Sequence, residues 1–120
     1  MKTQSSKLKI IGLTIQLGLA LLLYGSAMLA HAQESDPMWI DVRTASEFSD
    51  GHVEGAINIE FGDVVAALGQ RKVATETAII LYCGSGKRSG FALESLRQAG
   101  YENLTNAGGL DQARTLKASQ

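Results

Sequence analysis

Residues 78–82, Ala-Ile-Ile-Leu-Tyr, form an unbroken apolar run, and Cys83-Gly84-Ser85-Gly86 follows at once. A run this short without polar alternation suits a strand buried on both faces, as in a parallel sheet covered by helices. The flanking sequence supplies the partners. Met38–Val42 reads as a short strand that Arg43 ends. Thr44 and Glu47 have capping-box spacing and open a short helix through about Ser49. Asp50-Gly51-His52 is a turn, and Gly55-Ala56 is a corner into a second strand, Ile57–Ile59. Asp63 is the predicted N-cap of a helix over Val64–Leu68, stopped by Gly69. From Ser89 to Ala99, Ala92, Leu93, Leu96 and Ala99 share one helical face while Glu94, Arg97 and Gln98 point outward. Gly100 closes that helix, Glu102–Asn106 is a fourth strand, and Gly108-Gly109 opens a terminal helix from about Asp111 to Leu116. Strict alternation of strand and helix predicts an α/β fold: three layers, with a mainly parallel sheet of about four strands between helices. In such sheets ligands bind beyond the carboxyl ends of the strands, where Cys83 falls.

The first 32 residues follow a different logic. Lys2, Lys7 and Lys9 precede an almost wholly apolar or small stretch from Ile10 to Ala30, and Ala30-His31-Ala32 is an A-x-A cleavage signature. This is the pattern of a secretory signal peptide cut after Ala32, so His31 is given no chemical role. The alternative is an uncleaved anchor, since the stretch matches the ~20 residues that cross a bilayer. Removing 32 of the 120 residues leaves 88, enough for one domain, 33–120, with a small core over about 38–116. Three of the 11 basic residues lie in the first nine positions, leaving eight against 12 acids, a net of −4. That balance excludes a general nucleic-acid binder, which would present a basic face.

Cys83 is the chain's single cysteine, so it forms no internal disulfide and by itself no metal site. An exported domain that shows one unpaired thiol to an oxidising compartment directs attention to that thiol's chemistry. Gly84 and Gly86 let the loop curl with its amides inward, forming an anion-binding nest with Ser85. The helix behind it adds the positive end of its dipole, and Lys87 and Arg88 add full charges. Ser89 either caps the helix or donates to a bound anion, capping being the preferred reading. The thiol is expected to ionise below the ~8.5 of free cysteine. Nothing in this constellation requires a histidine base, a metal or a cofactor.

Taken together, Asp41-Val42-Arg43, Glu47-Phe48, Gly51-His52, Gly55-Ala56-Ile57-Asn58-Ile59, Tyr82-Cys83-x-x-Gly86-x-Arg88-Ser89 and Asn106-Ala107-Gly108-Gly109-Leu110 resemble a rhodanese domain. The ordered set covers nearly all of residues 38–116, and the whole is most similar to small exported single-domain rhodaneses of the phage-shock type. The resemblance implies a periplasmic thiosulfate sulfurtransferase, or one anchored in the inner membrane and facing the periplasm if the leader is retained. Cys83 would attack the outer sulfur of thiosulfate, release sulfite, and pass the resulting persulfide sulfur to cyanide or another thiophilic acceptor. Gly84, Ser85, Gly86, Lys87, Arg88 and Ser89 would bind the anion. A second reading is a non-catalytic persulfide carrier or an oxidant sensor for a partner protein. A third is phosphatase or arsenate-reductase chemistry, which the resemblance disfavours: those relatives place five residues between cysteine and arginine, and here four separate Cys83 from Arg88.

The chain departs from the family pattern in two ways. Position 84 is glycine where many rhodaneses carry arginine, and the domain begins abruptly near Met38, from which either lower stability or a sheet edge exposed for pairing is expected. Asp41 and Arg43 are read as a supporting pair that organises the loops. His52 is read as part of a structural turn, and Trp39 and Phe48 as core or rim. Phe91 is read as either core or pocket mouth, and Gly108-Gly109 as backbone support for the active loop. The sequence carries no signal for an oligomeric state.

Overall fold

The computed structural model describes residues 35–120; the segment read as a signal peptide lies outside them. Four strands, β1 (Met38–Asp41), β2 (Ile57–Asn58), β3 (Ile79–Tyr82) and β4 (Leu104–Asn106), form one sheet in the order β2-β1-β3-β4, and every pairing is parallel. Between and after them run α1 (Ala45–Asp50), α2 (Val64–Gln70), α3 (Lys87–Gln98) and α4 (Leu110–Ala118). The expected three-layer α/β fold is the one observed.

The order explains the layers. From β1 the chain moves outward to β2, then returns across β1 to β3 and β4. Right-handed crossovers require helices for the two directions of travel to lie on opposite faces. Accordingly α2 and α3 supply Val64, Leu68, Ala92 and Leu96 to one core, packed with Ile40, Val42, Ile79 and Leu81. On the other face α4 supplies Ala113, with Leu110 and Leu116 at its margin and Phe48 of α1, against Trp39, Ile80 and Tyr82. The two-residue period of a strand sorts β3 cleanly: Ile79 and Leu81 face one core, Ile80 and Tyr82 the other. Because both faces are covered, β3 shows no polar alternation.

Local signals act where they were read. The Thr44 hydroxyl accepts from the Glu47 N–H at 3.3 Å while the Glu47 carboxylate accepts from the Thr44 N–H at 3.3 Å, closing the capping box of α1. At the end of α3, Tyr101 N–H donates to Leu96 and Gly100 N–H to Arg97, the paired bonds of a Schellman turn. Three expectations are corrected. Asp63 stands at the N-cap of α2 as expected, but its side chain makes no capping bond, and the helix runs through Gly69 to Gln70. Helix α3 begins at Lys87, with Gly86 as its N-cap, so Ser89 lies in the first turn and does not cap it. Phe91 is 58% exposed and belongs to no core. Trp39 is buried in the core. Among the described residues, no helix is long and apolar enough to cross a membrane.

Candidate active site

The carboxyl end of β3 puts Cys83 where the pleat turns it toward Ile79, Leu81 and α3, and its side chain is 0% exposed. Its backbone N–H donates to Gly108 O at 3.0 Å, which prolongs the β3–β4 ladder past the last strand residue. The loop then needs a sharp reversal to start α3, and Gly86 supplies it at φ 94°, a left-handed conformation costly for other residues. That reversal aims Gly86 N–H at Cys83 Sγ, 3.0 Å away.

The floor of the loop is equally exacting. A methyl group on Gly109 would stand 2.7 Å from Gly84 O, and one on Gly86 would stand 3.2 Å from the Gly108 Cα. Glycines 108 and 109 therefore let two backbone turns touch, as expected of a supporting element. Asn106, at the end of β4, ties them together. Its Nδ2 donates to Gly86 O at 3.0 Å, and its Oδ1 accepts from Gly108 N–H at 3.0 Å and from the Ser89 hydroxyl at 2.7 Å. Ser89 Oγ lies 3.4 Å from Cys83 Sγ.

Burial pushes the Cys83 thiol up. The Ser89 hydroxyl and N–H, with the N–H groups of Ser85 and Gly86, outweigh it and bring the thiol from its ordinary 9.0 down to about 7. Hydrogen bonds to the charged form are the means, more than the loop's cations. Lys87 is exposed and Arg88 half-buried at the start of α3. Arg88 is engaged elsewhere: its Nη1 and Nη2 meet the two oxygens of Glu47 at 2.8 and 3.0 Å. The Arg88 guanidinium holds the Glu47 carboxyl down at about 2. The guanidinium also packs beside Gly84, where a methyl group would be 3.2 Å from Nη2. Two cations and no acid in the first turn of α3 run against the helix dipole, an arrangement that an anion at this end would relieve. An open depression lined by Gly84, Gly109, Leu110, Asp111 and Gln112 adjoins the loop.

Asp41 and Arg43 form a buried ion pair at the end of β1. Arg43 Nε and Nη2 grip the Asp41 carboxylate at 3.0 and 2.8 Å, Nη2 also donates to Gly51 O, and the guanidinium carbon stands 5.8 Å from the centre of the Tyr82 ring. Tyr82 OH accepts from Val53 N–H at 2.9 Å, and burial raises that phenol to about 12. His52 stacks on Phe48 with ring centroids 3.6 Å apart, and its Nδ1 meets Phe48 O at 2.9 Å, the structural turn expected of it. Among the described residues no three potential metal ligands come together.

Two residues to which the sequence assigns no site role of their own bear on the site. Both stand in the ordered motif set, Glu47 also as half of a capping box and Asn106 at the end of a strand. The signals that pointed to them were weak: an uncompensated pair of cations at 87 and 88, and a polar side chain at the carboxyl end of a parallel strand.

The rhodanese-like domain model of protein families matches residues 26–114. Over 72 residues the chain is 39% identical to thiosulfate sulfurtransferase PspE of Escherichia coli, covering 60% of this chain and 69% of that protein. It is 40% identical over 72 residues to the uncharacterized protein YqhL of Bacillus subtilis, where it spans 54% of the relative's length. Among solved structures, a rhodanese with anions from E. coli superposes with a TM-score of 0.61 at 36% identity, over 64% of this chain and 91% of that one. The match extends over most of the described fold, with the single cysteine at the head of its loop, and the chain belongs to the rhodanese-like domain family.

Proposed function

We propose that this protein is a thiosulfate sulfurtransferase working through a persulfide on Cys83. The observation that carries the reading is the environment of one sulfur atom. Sγ is buried, receives Gly86 N–H at 3.0 Å, has the Ser89 hydroxyl 3.4 Å away, and is half-ionised near pH 7. The thiolate attacks the outer sulfur of thiosulfate, the S–S bond of the donor breaks, and its electron pair leaves with sulfite. The Cys83 persulfide anion then yields its terminal sulfur to cyanide or another thiophile, which restores the thiolate and closes the double displacement. The N–H groups of Ser85, Gly86 and Ser89 stabilise the anionic sulfur at each stage. Lys87 and Arg88 draw in the dianionic donor, Gly84 leaves room for it, and Asp41 with Arg43 holds the scaffold. The name of the E. coli relative PspE supports thiosulfate as the donor. The leader at residues 1–32 places the reaction in the periplasm, after cleavage behind Ala32.

Intact mass after exposure to thiosulfate tests the first step: the wild type gains one sulfur atom and Cys83→Ser gains none. Sulfite release with multiple turnovers in the presence of cyanide tests the second. A sulfur adduct without turnover would replace the enzyme with a persulfide carrier. Absence of any adduct would remove the proposal, and phosphate-ester hydrolysis would then be assayed in its place.

A further inference from the structure

The Ser89 hydroxyl has one proton and two acceptors. Asn106 Oδ1 is 2.7 Å from Ser89 Oγ, and Cys83 Sγ is 3.4 Å away on the other side. The orientation of the Asn106 amide follows from its other neighbours. Gly108 N–H can only donate and Gly86 C=O can only accept, so the oxygen must face Gly108 and the nitrogen Gly86. Oδ1 therefore cannot donate to Ser89, and the short contact between them requires the serine proton. While that proton lies on the line to Asn106, Ser89 turns lone pairs toward the sulfur. A protonated Cys83 tolerates this, because its S–H can donate to Ser89 Oγ. A thiolate does not: lone pairs would face a negative charge, and the hydroxyl has to rotate.

We propose that Asn106 is a positioning residue that competes with Cys83 for the hydroxyl proton of Ser89, holding it while the sulfur is protonated and yielding it when the thiolate forms. The chain Cys83 S–H to Ser89 O–H to Asn106 Oδ1 then becomes Asn106 Oδ1 without a serine donor and Ser89 O–H to Cys83 S⁻. No bond other than the departing S–H breaks, and that proton goes to solvent. The rotation costs little, because Oδ1 keeps its bond from Gly108 N–H. The competition has a use in a double displacement. The same sulfur must be nucleophile in one step and leaving group in the next, and a hydroxyl committed to the thiolate would favour departure at the expense of attack. A hydroxyl shared with Asn106 moderates both.

This deepens the sulfurtransferase reading and rests on it for its purpose. Its test uses alkylation of Cys83, which needs no sulfur substrate, so the two can fail separately. The pH midpoint of iodoacetamide alkylation is measured for wild type, Asn106→Leu, Ser89→Ala and the double variant. Asn106→Leu removes the competing acceptor, and the midpoint falls by about half a unit, the size expected for a modest neutral hydrogen bond. Ser89→Ala raises the midpoint, and adding Asn106→Leu to it produces no further shift. A purely structural Asn106, which only ties Gly86 to Gly108, would move the midpoint equally with and without Ser89. An equal shift in both backgrounds, or an unchanged or raised midpoint in Asn106→Leu, overturns the proposal. Should Asn106→Leu fail to fold, the side-chain amide resonance of Asn106 serves in the protein unaltered at 106. It follows the Cys83 midpoint, and that response collapses in Ser89→Ala; a response that survives intact without the serine overturns the proposal.

Discussion

Two of the bidentate arginine–carboxylate pairs among the described residues stand in opposite surroundings. Asp41 and Arg43 are two residues apart at the end of β1, with side chains 0% and 8% exposed. Glu47 and Arg88 come from α1 and the start of α3, with side chains 38% and 33% exposed. Contact distances are nearly the same, 2.8 Å for the shortest bond in each. The surrounding medium separates them. Under the loops, water is excluded, so each charge of the first pair is stranded if its partner goes. At the site mouth water screens the second pair, and such pairs contribute only ~0–1 kcal/mol. The buried pair thus fixes the end of β1 to the turn at Gly51. In the proposed function, the exposed pair parks a loop cation that an arriving anion takes over at small cost.

The sharpest way to break this contrast is Asp41→Ala. Arg43 would be left buried without its carboxylate, a loss of about 3–5 kcal/mol measured by denaturant unfolding, against a total of ~5–15 kcal/mol for a domain. A loss below about 1 kcal/mol would show that the pair is not scaffold. Arg88→Ala should do the reverse. Stability changes by less than about 1 kcal/mol, while kcat/KM for thiosulfate falls about tenfold or more, at least ~1.4 kcal/mol of transition-state binding. If unfolding shifts strongly and activity holds, the roles assigned to the two arginines are exchanged.

The same contrast marks what the sequence could and could not disclose. Asp41-Val42-Arg43 was readable as a pair because its partners sit two positions apart at a strand end. The Thr44–Glu47 capping box and the Gly100 turn were readable for the same reason, since their bonds close within a few residues. Glu47 to Arg88 spans 41 positions and Asn106 to Ser89 spans 17, and no local propensity encodes such meetings; only the order of the strands creates them. Helix α2 passes Gly69 because burial of Val64 and Leu68 outweighs the modest helix penalty of one glycine. The misassigned cap has a related origin. A hydroxyl near a helix start suggests an N-cap, but the left-handed Gly86 starts α3 earlier, and Ser89 turns inward to the sulfur. For the thiolate, the loop glycines already disclose the inward amides, and the N–H groups of Ser85, Gly86 and Ser89 do lower the thiol; the Ser89 hydroxyl, the largest of the lowering contacts, is the donor that its expected capping role concealed.

A sulfur held by these donors predicts a pH response. With Cys83 brought down to about 7, the alkylation rate should climb about tenfold per unit up to that pH and level off above it. The folded protein releases this proton before the unfolded chain does, whose thiol keeps its ordinary 9.0. Between about 7 and 9 the native state therefore binds fewer protons, so stability rises with pH across that window and the contribution is lost as pH falls through 7. A midpoint that moved strongly with added salt would give the leading role to the exposed cations instead.

Glu47→Gln gives the smallest and most discriminating effect. Glutamine retains the acceptor that closes the capping box of α1, so the helix start survives, and removal of a screened pair costs less than about 1 kcal/mol. Arg88 is then no longer neutralised, and the mouth gains one unit of positive charge. For a dianionic donor, KM should fall about two- to threefold at low ionic strength, with kcat little changed, and the difference should fade as the Debye length shrinks from ~30 Å at 0.01 M to ~3 Å at 1 M salt. The opposite outcome is equally informative. If KM rises, Glu47 is holding Arg88 in the geometry that receives the anion, and the exposed pair is a fixed part of the site after all, nearer in kind to Asp41 and Arg43 than its exposure implies.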